Sequence, residues 1–254
     1  MSSSLHTLVR SLRLRRGRER RGLALAEGVR LVEEALGAGV AIRHLLASPA
    51  LEATPRGRAL KAALTAAGLR IDAVSDLVFE SLAATEHPQG ILAVIEPPQW
   101  TLQDVHPAPR APALVLDAVQ DPGNVGTLVR TAFALGAAGV LALPGTAELT
   151  NPKTLRATMG GCFRLPYVTL DEAALREWAG RNGIRVLLAA AGAEPLSRPL
   201  AEPAALVLGN EGSGIRPSLE TWADGSIGIP LRQAAESLNV AVAAGILLHE
   251  VTRE

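Results

Sequence analysis

Cysteine is almost absent from the 254 residues: Cys162 stands alone, which excludes an internal disulfide and makes a thiolate metal site implausible. Such a chain suits a reducing compartment, and a cytoplasmic location is expected. Lysine is nearly as scarce, with only Lys61 and Lys153, so arginine carries the positive charge. Aromatic residues make up 3%, and Trp100, Trp178 and Trp222 are too few and isolated to form a base-stacking platform. The five histidines are scattered without ligand spacing, so no metal is expected. No apolar run approaches the roughly 18 residues that span a bilayer, because even residues 240–248 are short and rich in alanine and glycine. Neither a phosphate-loop Gly-Lys-Ser/Thr nor a dinucleotide-type glycine repeat opening a helix is present, which removes support for nucleoside-triphosphate and nicotinamide chemistry.

What is present is apolar bulk, at 48% of residues, with a formal net charge of zero. That balance hides a lopsided N-terminus, where Arg10, Arg13, Arg15, Arg16, Arg18, Arg20, Arg21 and Arg30 face only Glu19 and Glu27. Two readings stand side by side: a solvated basic face, reflecting arginine-rich coding, or an RNA contact. The Ser/Arg-rich, acid-poor start also has the composition of a transit peptide.

Prolines 97, 98, 107, 109 and 112 bracket a stretch without periodicity, so residues 97–112 are expected to link domains at 1–96 and 113–254. In the first, residues 23–36 and 56–68 have helical patterns, and residues 42–48 and 90–95 are strand-like. In the second, strand-like runs at 114–119, 140–144, 186–190, 205–208 and 227–229 alternate with helical stretches at 125–135, 173–181 and 238–250. Strands apolar throughout and separated by helices predict an α/β fold with a mainly parallel sheet covered on both faces.

Three segments of the second domain carry the chemistry. The first is Asp121-Pro122-Gly123-Asn124-Val125-Gly126, leading to Arg130. The second is Gly209-Asn210-Glu211-Gly212-Ser213-Gly214, and the third is Ile229-Pro230-Leu231 followed by Ser237-Leu238-Asn239. Each lies just past a predicted strand, where α/β sheets bind ligands. Local structure offers plainer roles. Asn124 is placed to cap a helix, Arg130 lies off the face formed by Val125, Leu128, Val129, Ala132 and Phe133, and Glu211 reads as a solvated loop acid. Ser237 stands where a helix can begin, with Leu238 and Asn239 in its first turn. Beyond it, Val240, Val242, Ala243, Ile246, Leu247 and Leu248 wrap more than one helix face, which predicts burial on several sides, as at a dimer interface.

In order and spacing these segments resemble the three motifs of the SpoU/TrmH-type RNA 2′-O-ribose methyltransferases of the SPOUT class. The run Asn151-Pro152-Lys153 through Arg156 to Gly160-Gly161 and Phe163-Arg164-Leu165-Pro166 resembles the segment between that family's first two motifs. Glu27-Gly28 and His87-Pro88-Gln89-Gly90 resemble the ribosomal-protein-like substrate-binding domain that precedes many SpoU catalytic domains. Because residues 5–28 continue into that resemblance, it weighs against a transit peptide.

The resemblance implies a C-terminal trefoil knot, a homodimer and S-adenosylmethionine as cofactor, with Gly209, Ile229 and Leu238, beside Leu208, Asn210 and Leu231, in its site. It places Arg130, Asn124, Glu211, Ser237 and Asn239 near the reacting centre. A general-base role is proposed for the family's arginine, but arginine, with a pKa above about 12, is a poor base. A cation that grips phosphate and stabilises a developing alkoxide is the favoured role for Arg130, with general base second. Ribosomal RNA is the expected substrate, from the domain layout. The alternatives are tRNA or a non-catalytic RNA-binding assembly factor.

Overall fold

The computed structural model describes residues 3–196, 200–232 and 237–253. Two compact units emerge, Met1–Gln99 with Thr150–Phe163, and Trp100–Leu149 with Arg164–Glu254. The chain first passes between them inside the proline-rich stretch. The second unit is not continuous, because residues 150–163 pack with the first.

In the first unit, α1 (Ser3–Leu12) and α2 (Arg15–Arg21) precede β1 (Ala24–Glu27), α3 (Val29–Gly37) and β2 (Ile42–Ala47). Then come α4 (Pro55–Ala66), β3 (Ile71–Ala73), α5 (Asp76–Leu82) and β4 (Ile91–Ile95). The sheet runs β1-β4-β2-β3, with only β2 and β3 parallel. Residues 23–36, expected as one helix, are instead a strand and a helix. They divide at Gly28, whose φ of 102° lies outside the helical region and suits glycine. One face of α1, carrying Leu5, Val9 and Leu12, joins Phe79 and Leu82 of α5 against Leu25, Leu46 and Leu92 of the sheet.

Arg18 departs from the rest of the basic run. It is buried, and its Nη1 donates to the carbonyls of Leu12 at 3.1 Å and Arg13 at 3.0 Å, satisfying the C-terminal end of α1. Arg10, Arg13, Arg15, Arg16, Arg20, Arg21 and Arg30 remain exposed.

The second unit contains β5 (Ala113–Leu116), α6 (Pro122–Ala134), β6 (Gly139–Ala142), β7 (Tyr167–Thr169), α8 (Glu172–Asn182) and β8 (Arg185–Ala189). It ends with β9 (Ala204–Leu208), α9 (Pro217–Glu220), β10 (Gly225–Ile227) and α10 (Val240–Thr252). All strand pairs are parallel, in the order β10-β8-β9-β5-β6-β7. Every residue of β5, β6 and β9 is buried, as expected of a sheet covered on both faces. From β5 the chain builds outward through β6 and β7, then returns to build the other side through β8 and β9. The direction of winding therefore reverses between β5 and β9, and the carboxyl ends there open a crevice suited to a ligand.

Two helices differ from expectation. Phe133 on α6, and Val242 and Ile246 on α10, are 43%, 52% and 39% exposed in the single chain, although α6 and α10 pack together. Also, α10 begins at Val240 and is capped by Asn239, whose Oδ1 accepts from Ala241 N at 2.9 Å and Val242 N at 3.3 Å. Ser237 therefore lies outside the helix, and Leu238 and Asn239 precede its first turn. Between the units in sequence, α7 (Pro152–Ala157) belongs to the first and packs on β1.

Candidate active site

The crevice is framed by turns tied to one another across long stretches of sequence. Past β5, the Asp117 carboxylate is 2% exposed and accepts from Arg216 N at 2.8 Å and Arg216 Nε at 2.7 Å. Arg216 Nη2 also donates to the Pro144 carbonyl at 3.1 Å, so one guanidinium joins the turns after β5 and β6 to the exit of the glycine-rich loop. Asn210 adds a second tie, its Nδ2 donating to the Ala118 carbonyl at 2.8 Å.

The loop is tight. Backbone bonds run both ways between Asn210 and Gly214, at 2.9 and 3.1 Å, while Asn210 Oδ1 accepts from the N–H groups of Gly212 and Ser213, both at 2.9 Å. A Cβ on Gly209 would come within 2.4 Å of the Gly214 carbonyl carbon, so only glycine permits this approach.

Asp121, not Asn124, caps α6: its Oδ1 accepts from Asn124 N at 2.9 Å, with Pro122 at the first helical position. Released from capping, the Asn124 side chain donates from Nδ2 to Glu211 Oε1 at 2.9 Å and accepts at Oδ1 from Asn239 Nδ2 at 3.1 Å. A side-chain chain, Glu211–Asn124–Asn239, thus connects all three motifs. Glu211 further accepts from Gln120 N at 3.2 Å and Asp121 N at 3.3 Å. Burial pushes the Glu211 carboxyl upward, but the hydrogen bonds from Asn124 and from backbone N–H groups outweigh it and hold the pKa below the usual value.

Asn124, Thr127 and Arg130 succeed one another at three-residue intervals along one flank of α6. Arg130 is exposed, and no hydrogen bond or ion pair engages its guanidinium among the described residues. It is presented to solvent as a free cation.

Beside this network lies a cavity of about 670 Å3. Leu208, Gly209, Asn210, Ile229, Leu231 and Leu238 all line it, together with Glu211, Ser237 and Asn239. Asn124 and Arg130 do not. Sequence reasoning missed the far wall, Leu188 to Ala191 with Ile227 and Gly228, and also Glu220. It missed Asp117 and Arg216 as well, and the capping role of Asp121. The Asp-Pro pair was a readable cap signal, whereas the Asp117–Arg216 contact spans 99 positions and carried no local mark. Among the described residues no group of His, Cys, Asp and Glu is placed to hold a metal, and no helix is long and apolar enough to cross a membrane.

Comparison with known proteins gives matching results for both units. Residues 111–249 match the SpoU rRNA Methylase family, and residues 8–93 match the MRM3-like substrate binding domain. A 23S rRNA guanosine 2′-O-methyltransferase of Bacillus subtilis is 35% identical over 95% of this chain and 93% of its own length. The AdoMet-bound rRNA methyltransferase from Sinorhizobium meliloti superposes with a TM-score of 0.86 at 30% identity, covering 99% of this chain and 95% of that one. The SpoU methyltransferase AviRb from Streptomyces viridochromogenes, in complex with AdoMet, also gives 0.86, at 26% identity over 100% and 98% of the two chains.

Proposed function

The chain belongs to the SpoU rRNA Methylase family, and from that premise we propose that it transfers the methyl group of S-adenosylmethionine to a ribose 2′-hydroxyl of ribosomal RNA. One observation carries the reading: the cavity lined by Gly209, Ile229 and Leu238 adjoins the Glu211–Asn124–Asn239 chain, so a cofactor pocket and a polar reaction centre share a wall. The volume falls within the roughly 300–1,000 Å3 typical of small-molecule sites, and the aliphatic far wall suits a nucleoside.

The bound cofactor supplies an electrophilic methyl carbon on sulfonium sulfur. Attack of the 2′-oxygen on that carbon would break its bond to sulfur, leave S-adenosylhomocysteine and pass the hydroxyl proton to solvent, so the protein's task is to hold the oxygen and bear the charge that grows there. Asn124 and Asn239 each spend one side-chain N–H within the chain and keep the other, which gives two donors suited to an oxygen acquiring negative charge. Arg130, free and charged, grips an RNA phosphate and stabilises the alkoxide. Glu211 orients Asn124 and fixes the turn before α6. Ser237 lines the same cavity and is exposed.

The first unit serves to recruit RNA through its exposed arginines. Phe133 on α6 and Val242 and Ile246 on α10 are exposed apolar residues of two helices that pack together, which suits a homodimer. Threading of the last segment into a trefoil knot belongs to the same reading, as does a cytoplasmic site of action. Calorimetry with S-adenosylmethionine, followed by mapping of 2′-O-methylation in ribosomal and transfer RNA from a deletion strain, tests the proposal. Absence of cofactor binding would overturn it, and a missing mark in tRNA alone would redirect the substrate.

A further inference from the structure

Glu220 closes α9 and lines the cavity, yet its carboxylate has no hydrogen bond or ion pair among the described residues. It is one of two charged groups in the described lining. The other, Glu211, is engaged by Asn124, Gln120 and Asp121. Glu220 is therefore the only charged group of that described lining still free to meet a ligand.

Its place is set by its neighbour. Leu219 is fully buried in the core cluster that contains Leu188, and Leu188 with Ala189, Ala190, Ala191 and Ile227 makes the aliphatic wall of the cavity. Glu220 thus joins the cavity lining directly after a residue packed in the core behind that aliphatic wall. An aliphatic wall favours the nucleoside part of a ligand over a zwitterionic amino-acid tail, which loses hydration there.

We propose that Glu220 recognises the vicinal 2′,3′-diol of the cofactor's own ribose, an inference that rests on the S-adenosylmethionine reading above. A carboxylate presents two acceptor oxygens to two neighbouring O–H donors, and acidic residues take ribose hydroxyls in this way in dinucleotide-binding folds. It makes Glu220 a specificity residue for ribonucleosides over their deoxy counterparts.

The experiment is calorimetry, without RNA, of wild type, Glu220→Gln and Glu220→Ala with two ligands: S-adenosylmethionine and 5′-methylthioadenosine. The second has the ribose diol but neither the sulfonium nor the amino-acid charges, so its affinity reports hydrogen bonding to the nucleoside rather than attraction between charges. Glu220→Ala is expected to weaken both ligands about tenfold, the scale of a charge-assisted hydrogen bond, with Glu220→Gln losing less. Because Glu220 is exposed, melting temperatures should stay near wild type, and they are measured alongside. If S-adenosylmethionine weakens while methylthioadenosine is unchanged, the carboxylate serves the ammonium group and the proposal is overturned. Unchanged affinity for both ligands overturns it too. Failure of the wild type itself to bind S-adenosylmethionine would instead remove the cofactor reading on which it rests.

Discussion

Glu211 and Asn124 stand 87 positions apart in the chain, yet their side chains meet at 2.9 Å and join the glycine-rich loop to the first turn of α6. Hydrogen bonds to its ionised form hold the Glu211 carboxyl below its reference value of 4.5. Such a group contributes stability that is fully present above its unfolded pKa and fades as pH falls through the lower folded value. The loop should therefore stay docked down to about pH 5 and loosen only below the usual carboxylate range. Titration of the Glu211 carboxyl carbon by NMR should give a midpoint below 4.5, and Asn124→Ala should raise it. A midpoint above that value in the wild type would contradict the arrangement.

A different cost attaches to Asp117, which is almost wholly buried while its partner Arg216 is about one-third exposed. Removing the cation leaves an uncompensated buried charge. Arg216→Ala should cost about 3–5 kcal/mol in urea unfolding, and Arg216→Leu paired with Asp117→Leu should recover much of that loss. If the single variant is as stable as wild type, the pair is not holding these turns.

The apolar face of α6 and α10 predicts association. Wild type should scatter light as a dimer at micromolar concentration. A glutamate in place of Val242 or Ile246, both exposed in the single chain, should yield a folded monomer with little loss of melting temperature. A monodisperse wild-type monomer would remove the dimer.

Much of this architecture was legible because β5, β6 and β9 are uninterrupted apolar runs, and a strand buried on both faces needs little else. Strand β7 escaped notice at three residues, too short for any period to show. The break at Gly28 was hidden because its flanks, 24–27 and 29–35, continue a helical spacing of apolar residues across it. The site was legible where residues recur in motif order, as with Gly209, Ile229 and Leu238. It was not legible where a contact depends on strands being brought together first, as with Asp117 and Arg216. Of the two readings open for Asn124, the cap rests on asparagine's preference for that position, and the structure gives it to Asp121, whose place before Pro122 is the stronger signal.

The basic N-terminus now divides into two kinds of arginine. Exchanging exposed Arg15, Arg16, Arg20 and Arg21 for serine should flatten the salt dependence of RNA binding, by up to about 0.7 in log–log slope for each phosphate of a single strand that is no longer neutralised. Arg18→Ala should act otherwise, lowering stability by uncapping α1 while the charges around it remain. An unchanged slope in the fourfold variant would return the segment to a solvated face.

Arg130 offers the most direct test of chemistry, because its exposed guanidinium makes no hydrogen bond or ion pair among the described residues that could confuse the result. Arg130→Ala should cripple methylation, by roughly a hundredfold or more if it removes a principal charge-stabilising group, while cofactor affinity and melting temperature stay near wild type. Lysine keeps the charge but loses the planar fork that binds phosphate bidentately. If the arginine acts as a cation, Arg130→Lys should retain measurable activity with a single-turnover pH profile like that of wild type. If it acts as a base, the lysine should bring its own pKa, lower than that of arginine, into that profile. Full activity in Arg130→Ala would sink both roles and move the reaction centre away from this flank of α6.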